Sequence, residues 1–163
     1  MKALAFLIFV FINYILKVAI LPNFLPTNFI FNLTLCIIVS LALLAKNREG
    51  LTWTLVIAVL NDLLSHEVLF MNLFLFSIIY LFLYFFRDNI NLENLLSIAL
   101  LNIAAYIFYM LFSYTLLSFM GVDLTIKHLF RNIFSIKALF VALYGVLTYL
   151  ISKRIFRYKN YDI

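Results

Sequence analysis

Six stretches of this chain are apolar almost without interruption, and short polar clusters separate them. Ala3 to Leu21, Asn28 to Ala45, Val68 to Phe86, Leu95 to Met120 and Ile133 to Ile151 each have the roughly 17 to 25 residues that a helix needs to cross a hydrocarbon core about 30 Å thick. Leu51 to Leu64 is shorter. It reads as a short span, a re-entrant segment, or a helix whose Asp62 end opens into a polar pocket. The punctuation supports these divisions: Pro22 and Pro26 bracket the first turn, Lys46 to Gly50 the second, Ser65 to Glu67 the third and Arg87 to Asn94 the fourth. Breaks this short predict antiparallel neighbours. The pattern therefore predicts an all-α integral membrane protein, a compact bundle of six transmembrane helices with the third one short, forming a single domain over residues 1–163.

Between the fifth and sixth segments, Val122, Ile126, Phe130 and Ile133 recur at helical spacing, while Asp123, Lys127 and Arg131 fall on another face. Two readings stay open there, an interfacial helix on the outer leaflet and an extension of the last span. Tyr80, Tyr84, Tyr149 and Tyr158 lie near segment ends, where amphipathic rings favour the membrane interface.

Composition settles the solvent. Hydrophobic residues make up 67% of the chain and charged residues 12%, with a mean hydropathy of +1.13; soluble domains hold about 45 to 50% apolar and about 25% charged residues. The net charge of +5 would suggest nucleic acid in a soluble protein, but its distribution excludes that partner. With six crossings and the N-terminus inside, Lys2, Lys46, Arg48, Arg87, Lys153, Arg154, Arg157 and Lys159 all fall on one side. The other side receives Lys127 and Arg131, which matches the positive-inside rule and places both termini in the cytoplasm. The first apolar run is too long for a signal-peptide core and has no small-x-small cleavage site before Pro22, so it is expected to be retained as a span. A single cysteine, Cys36, excludes an internal disulfide and a cysteine metal cluster.

Candidate chemistry is sparse. A carboxylate in or near hydrocarbon costs roughly 2.5 to 3.5 kcal/mol on insertion scales, so Asp62 needs a reason to be there. Lys17, Asp62 and Lys137 are expected at one depth near the outer ends of their helices, with His66 and Glu67 beside them in the loop. Three outcomes are weighed: Asp62 pairs with Lys17 or Lys137 and ties helices together, both lysines reach separately for the headgroups while Asp62 ends a short helix, or the acid serves a proton or ion relay. Asn13, Asn61, Asn72 and Asn102 are polar groups that can hydrogen-bond between helices. His66 and His128 have no further ligand or base at a spacing such as HExxH, and Gly50, Gly121 and Gly145 form no phosphate-binding loop. No enzyme, metal or cofactor is expected.

The stretch Ala58 to Asn72 (AVLNDLLSHEVLFMN), with the six-segment layout and the length, resembles the MreD family of small multi-pass rod shape-determining proteins of bacteria. That family carries a short span reading like GLLxDLL, a brief loop, a Leu-Gly turn and a long apolar span. Asp62, Leu63 and Leu64 fall on the motif and Leu69 on the leucine after the loop; Asn72 takes a position that is often small or polar. Ala58, His66 and Phe70 stand where glycine is usual. The resemblance implies a non-enzymatic component of the cell-elongation machinery in the bacterial cytoplasmic membrane. Its partners would be an MreC-like single-span protein and, through it, an MreB-like filament, a RodA-type glycosyltransferase and a penicillin-binding transpeptidase. MreD-like proteins in turn resemble the S components of energy-coupling factor transporters in fold. The rival expectation is accordingly a substrate-binding S component for a vitamin. Against it, Ala3, Ala5 and Ala19 are separated by bulky residues, which leaves little small-residue surface for docking.

Overall fold

The computed structural model describes residues 2–24, 32–64, 70–121, 130, 133 and 135–157. The described residues form helices and turns, with no strand among them. Helix α1 (Lys2–Ile15) continues through a π-helical stretch (Leu16–Ile20) into the short α2 (Leu21–Phe24). There follow α3 (Leu33–Leu44), α4 (Asn47–Leu64), α5 (Met71–Phe86) with a 3-10 turn at Arg87–Asn89, α6 (Leu95–Phe119) and α7 (Ile136–Arg157). Among the described residues, four segments are long and apolar enough to cross a membrane: Leu4–Asn23, Met71–Asn89, Leu95–Phe119 and Ile136–Phe156.

One expectation is corrected. The third segment is not the short one: α4 has 18 residues, and α3, with 12, is the short helix. The polar cluster expected as a loop is the first turn of α4, with the Gly50 amide bonded to the Lys46 carbonyl at 2.8 Å. Glu49 in that turn suits the positive end of the helix dipole. Two of the tyrosines near segment ends, Tyr80 and Tyr149, are fully buried within the bundle. The Tyr149 hydroxyl donates to the Leu92 carbonyl at 2.8 Å, and Tyr80 stacks on Tyr84 with centroids 6.0 Å apart. Of the amphipathic stretch from Val122 to Phe134, all but Phe130 and Ile133 lie outside the described residues, as do His66, Glu67, Leu69, His128 and Tyr158.

Helix α3 is the axis of the molecule. It is apolar on every side, as a helix enclosed by others must be, and every residue from Leu33 to Leu43 is buried. Helices α1, α4, α5, α6 and α7 all pack against it. Its small residues Thr34, Cys36, Ser40 and Ala42 let neighbours come close, which is how helices associate where lipid removes the hydrophobic driving force. Thr148 of α7 donates to the Gly145 carbonyl at 2.9 Å, and Ser40 of α3 reaches its Oγ1 at 3.3 Å. The outer surface shows the opposite pattern: Leu4, Phe11, Phe82, Phe85, Leu96 and Leu143 are all more than half exposed. In a membrane that surface is solvated by acyl chains.

The buried face of α6 is its more polar one, with Asn102, Tyr106, Tyr109 and Ser113 turned inward at helical spacing. Asn102 lies directly on Gly145 of α7, and a methyl group at that glycine would overlap the amide. Gly50 gives way in the same manner to the Tyr80 hydroxyl and Ala45. Replacing Gly145 with alanine is expected to force α6 and α7 apart at a cost of about 1 to 3 kcal/mol. Thermal unfolding in mild detergent measures it, and an unchanged midpoint would contradict this packing.

Candidate functional site

The C-terminal turn of α4 carries two adjacent buried polar residues, Asn61 and Asp62, and they point to different partners. Asn61 faces α1 and α3: its Oδ1 accepts from Lys17 Nζ at 2.6 Å and from Thr34 Oγ1 at 3.3 Å. Asp62 faces α5. One carboxylate oxygen accepts from the Asn72 amide at 3.0 Å, and the other accepts from the Leu73 amide at 2.9 Å. Asn72 extends this arm to α6 by accepting at Oδ1 from the Tyr109 hydroxyl at 2.8 Å. Two consecutive residues thus tie together α1, α3, α4, α5 and α6.

The geometry at Asp62 is that of a helix cap supplied from another helix. The first amides of α5 have no intrahelical acceptor, and Phe70, which precedes the helix, offers no side-chain bond. Phe70 also holds φ at +67° and ψ at +1°, a left-handed conformation found in no other non-glycine residue among those described. That conformation costs a side-chain-bearing residue about 1 to 2 kcal/mol. A carboxylate accepting two amide bonds at a helix N-terminus gains both charge assistance and the favourable end of the macrodipole. This accounts for an acidic residue in apolar surroundings.

The sequence-predicted residues are therefore partly gathered. Lys17, Asn61, Asp62 and Asn72 meet in one network. Asp62 is held by main-chain amides, and Lys17 reaches the neighbouring Asn61. The reason is geometric: the end of α4 turns Asp62 toward α5 and Asn61 toward α1. Lys137, on the first turn of α7, is half-buried, and its main-chain amide donates to Ser135 Oγ at 3.3 Å. Thr34 and Tyr109 complete the network and escaped sequence reasoning. Tyr109 had a signal, since Asn102, Tyr106, Tyr109 and Ser113 repeat along one face of α6. A second polar bond fastens α1, where Asn13 Nδ2 donates to the Phe9 carbonyl and Asn13 Oδ1 accepts from the Tyr144 hydroxyl of α7.

A cavity of about 330 Å³ lies between α1, α3 and α4 beside this network, and Asn61 forms part of its wall. The Asn61 Nδ2 is buried with no hydrogen-bond partner. The arrangement ties helices together; among the described residues no three histidine, cysteine, aspartate or glutamate side chains are grouped to hold a metal.

Removing the cap tests this account. Asp62→Ala strips the acceptor from two amides and is expected to cost about 2 kcal/mol or more, because each unsatisfied buried donor costs about 1 to 3 kcal/mol. Asp62→Asn keeps one acceptor oxygen and is expected to cost less. Phe70→Gly relieves the left-handed backbone and is expected to raise stability by about 1 kcal/mol, since the Phe70 side chain is largely exposed. Thermal midpoints of the three variants in one detergent give the order, and a stabilised Asp62→Ala would refute the cap. No protein-family model matches the chain, and no curated protein or solved structure is significantly similar to it.

Proposed function

We propose that this chain is a non-enzymatic scaffold of the MreD type in the bacterial cytoplasmic membrane. In this reading its six helical segments all cross, with both termini in the cytoplasm, and it presents a rigid helical surface to an MreC-like single-span protein. Through that partner it serves an MreB-like filament, a RodA-type glycosyltransferase and a penicillin-binding transpeptidase in peptidoglycan synthesis and rod shape.

The observation that carries the proposal is the Asp62 cap on α5 together with the left-handed backbone of Phe70. The motif that residues 58 to 72 resemble runs as an acid, a short loop, then glycine before the next helix. Here the acid caps that helix, and the residue at the glycine position has the one backbone conformation that favours glycine. An acid that accepts two main-chain amides braces one helix on another, which suits a scaffold. Orientation is supported by the gathering of one set of helix ends. Phe6 of α1, Trp53 of α4 and Phe156 of α7 meet with centroids 5.2 and 5.5 Å from Phe6. Arg87 at the end of α5 donates to the Ala45 carbonyl at 3.1 Å. Lys46, Arg48, Arg87, Lys153 and Arg154 accordingly belong to one end of the molecule, the end that the positive-inside rule places in the cytoplasm.

The test is retention of partners from the native membrane. The tagged chain, extracted in mild detergent, is expected to retain a single-span protein with a periplasmic domain. Depletion of the chain is expected to round the cells. Retention of an ATPase-bearing coupling module, or of a water-soluble vitamin in stoichiometric amount, would overturn the scaffold reading in favour of an S component.

A further inference from the structure

Phe6 of α1 meets Trp53 near the start of α4, and Lys17 of α1 bonds Asn61 near its end. Hence α1 and α4 run parallel, pinned at two points that lie roughly 16 Å apart along α1. Between those points the helices stand apart. The cavity of about 330 Å³ opens there, with Leu7, Val10 and Phe11 on one side, Ile57 and Leu60 on the other, and Ile37 of the central α3 at its floor. Leu7, Phe11 and Leu60 are also exposed on the outer surface, so the cavity is a groove that opens sideways, onto the acyl chains of a membrane. Asn13, Thr34 and Asn61 line it too, yet their polar atoms are turned to partners or enclosed. Asn13 bonds the Phe9 carbonyl and the Tyr144 hydroxyl, Thr34 donates to Asn61, and Asn61 Oδ1 is taken by Lys17 and Thr34. The Asn61 nitrogen is itself covered. The surface that an occupant meets is hydrocarbon almost throughout.

We propose that this groove holds an acyl chain of a membrane phospholipid, bound through the chain alone and without regard to the headgroup. Water does not fill it, because a buried water needs several polar partners and an apolar cavity stays dry. A partner helix is too large, because two turns about 10 to 12 Å across fill roughly 850 Å³ or more. Left empty, the groove would deprive its wall atoms of dispersion contacts, a cost that grows with the unfilled volume. An acyl chain meets all three conditions: it is apolar, thin and flexible, and in a bilayer it is present at the open side of the groove. The size agrees. An apolar cavity of about 150 Å³ takes a benzene ring, so this one has room for part of one chain and not for a whole lipid. This inference does not depend on the scaffold reading.

Photolabelling in bilayers tests it. The full chain is placed in phosphatidylcholine nanodiscs that contain a phosphatidylcholine probe with a diazirine on its acyl chain, or a phosphatidylglycerol probe of the same build, and the adducts are assigned residue by residue. Both probes are expected to mark Val10 and Ile57 several-fold more than Ile79 and Leu83 of α5, which are about as buried as Ile57 but lie away from the groove. Val10→Phe and Leu60→Trp fill the groove from opposite walls. Each is expected to remove most adducts at Ile57, while those at the exposed Leu96 of α6 stay unchanged. Adducts at Ile57 no more frequent than at Ile79, adducts confined to the phosphatidylglycerol probe, or adducts at Ile57 that persist in either filled variant would each overturn the proposal.

Discussion

Backbone polar groups cannot be left unpaired in hydrocarbon, and the start of α5 is where this chain meets that rule at its hardest. Its preceding residue is twisted into a left-handed conformation and supplies no cap, so the amides of Asn72 and Leu73 depend on a carboxylate ten positions upstream of Asn72, on another helix. Remove that carboxylate and α5 loses both its first-turn partners and its register against α4. The far end of the same helix is tied in the opposite sense: Arg87 donates to the last carbonyl region of α3 and lies over the Tyr84 ring, its guanidinium carbon 4.3 Å from the centroid. Helix α5 is thus stapled at both ends by charged groups acting on main chain, and the buried α3 is trapped beside it.

The same end of α4 supports the rest of the bundle because Asn61 and Asp62 are neighbours in sequence and divergent in space. On a helix, consecutive side chains point about 100° apart, so one turn can serve two interfaces. Asn61 takes Lys17 and Thr34, and Asp62 takes α5 and, through Asn72, Tyr109 of α6. Apolar packing alone specifies little in a bilayer, since lipid tails compete equally for apolar side chains. The polar fork supplies what apolar contact does not: a fixed angular position for each helix about α3.

Much of this architecture was legible in the sequence and some of it was not, for physical reasons. Apolar length pointed to the four described segments that are long enough to cross a membrane, since hydropathy reports span length directly. The boundary between α3 and α4 was misplaced because Asn47, Arg48 and Glu49 read as a loop by polarity, whereas polar residues at a helix start satisfy free amides and the dipole. Lys17, Asp62 and Lys137 stood out as charged groups at one depth, and Asn61 and Asn72 as polar groups within the apolar segments; depth is what a hydropathy pattern reveals. Azimuth is what it hides: it cannot tell which of two adjacent residues faces a lysine. The partner of Asp62 was hidden more deeply, because main-chain amides have no letter in the sequence. Phe70 offered the only trace, a bulky residue where the resembled motif has glycine.

The loose seating of α1 follows from the same division between polar and apolar contact. Most of its surface is exposed, and it is fixed at separate points: Phe6 in a ring cluster with Trp53 and Phe156, Asn13 on Tyr144, and Lys17 on Asn61. Leu7, Val10 and Phe11 lie between those points and stand away from α4, so a gap opens there. In water, collapse would close a gap lined by such residues, because apolar surface gains by leaving solvent. In a membrane that gain is absent, and a helix held at polar points can stand off from its neighbour at little cost when an acyl chain fills the space. The polar fork therefore creates the cavity as well as the bundle, because the bond that pins Lys17 to Asn61 also fixes how far α1 stands from α4.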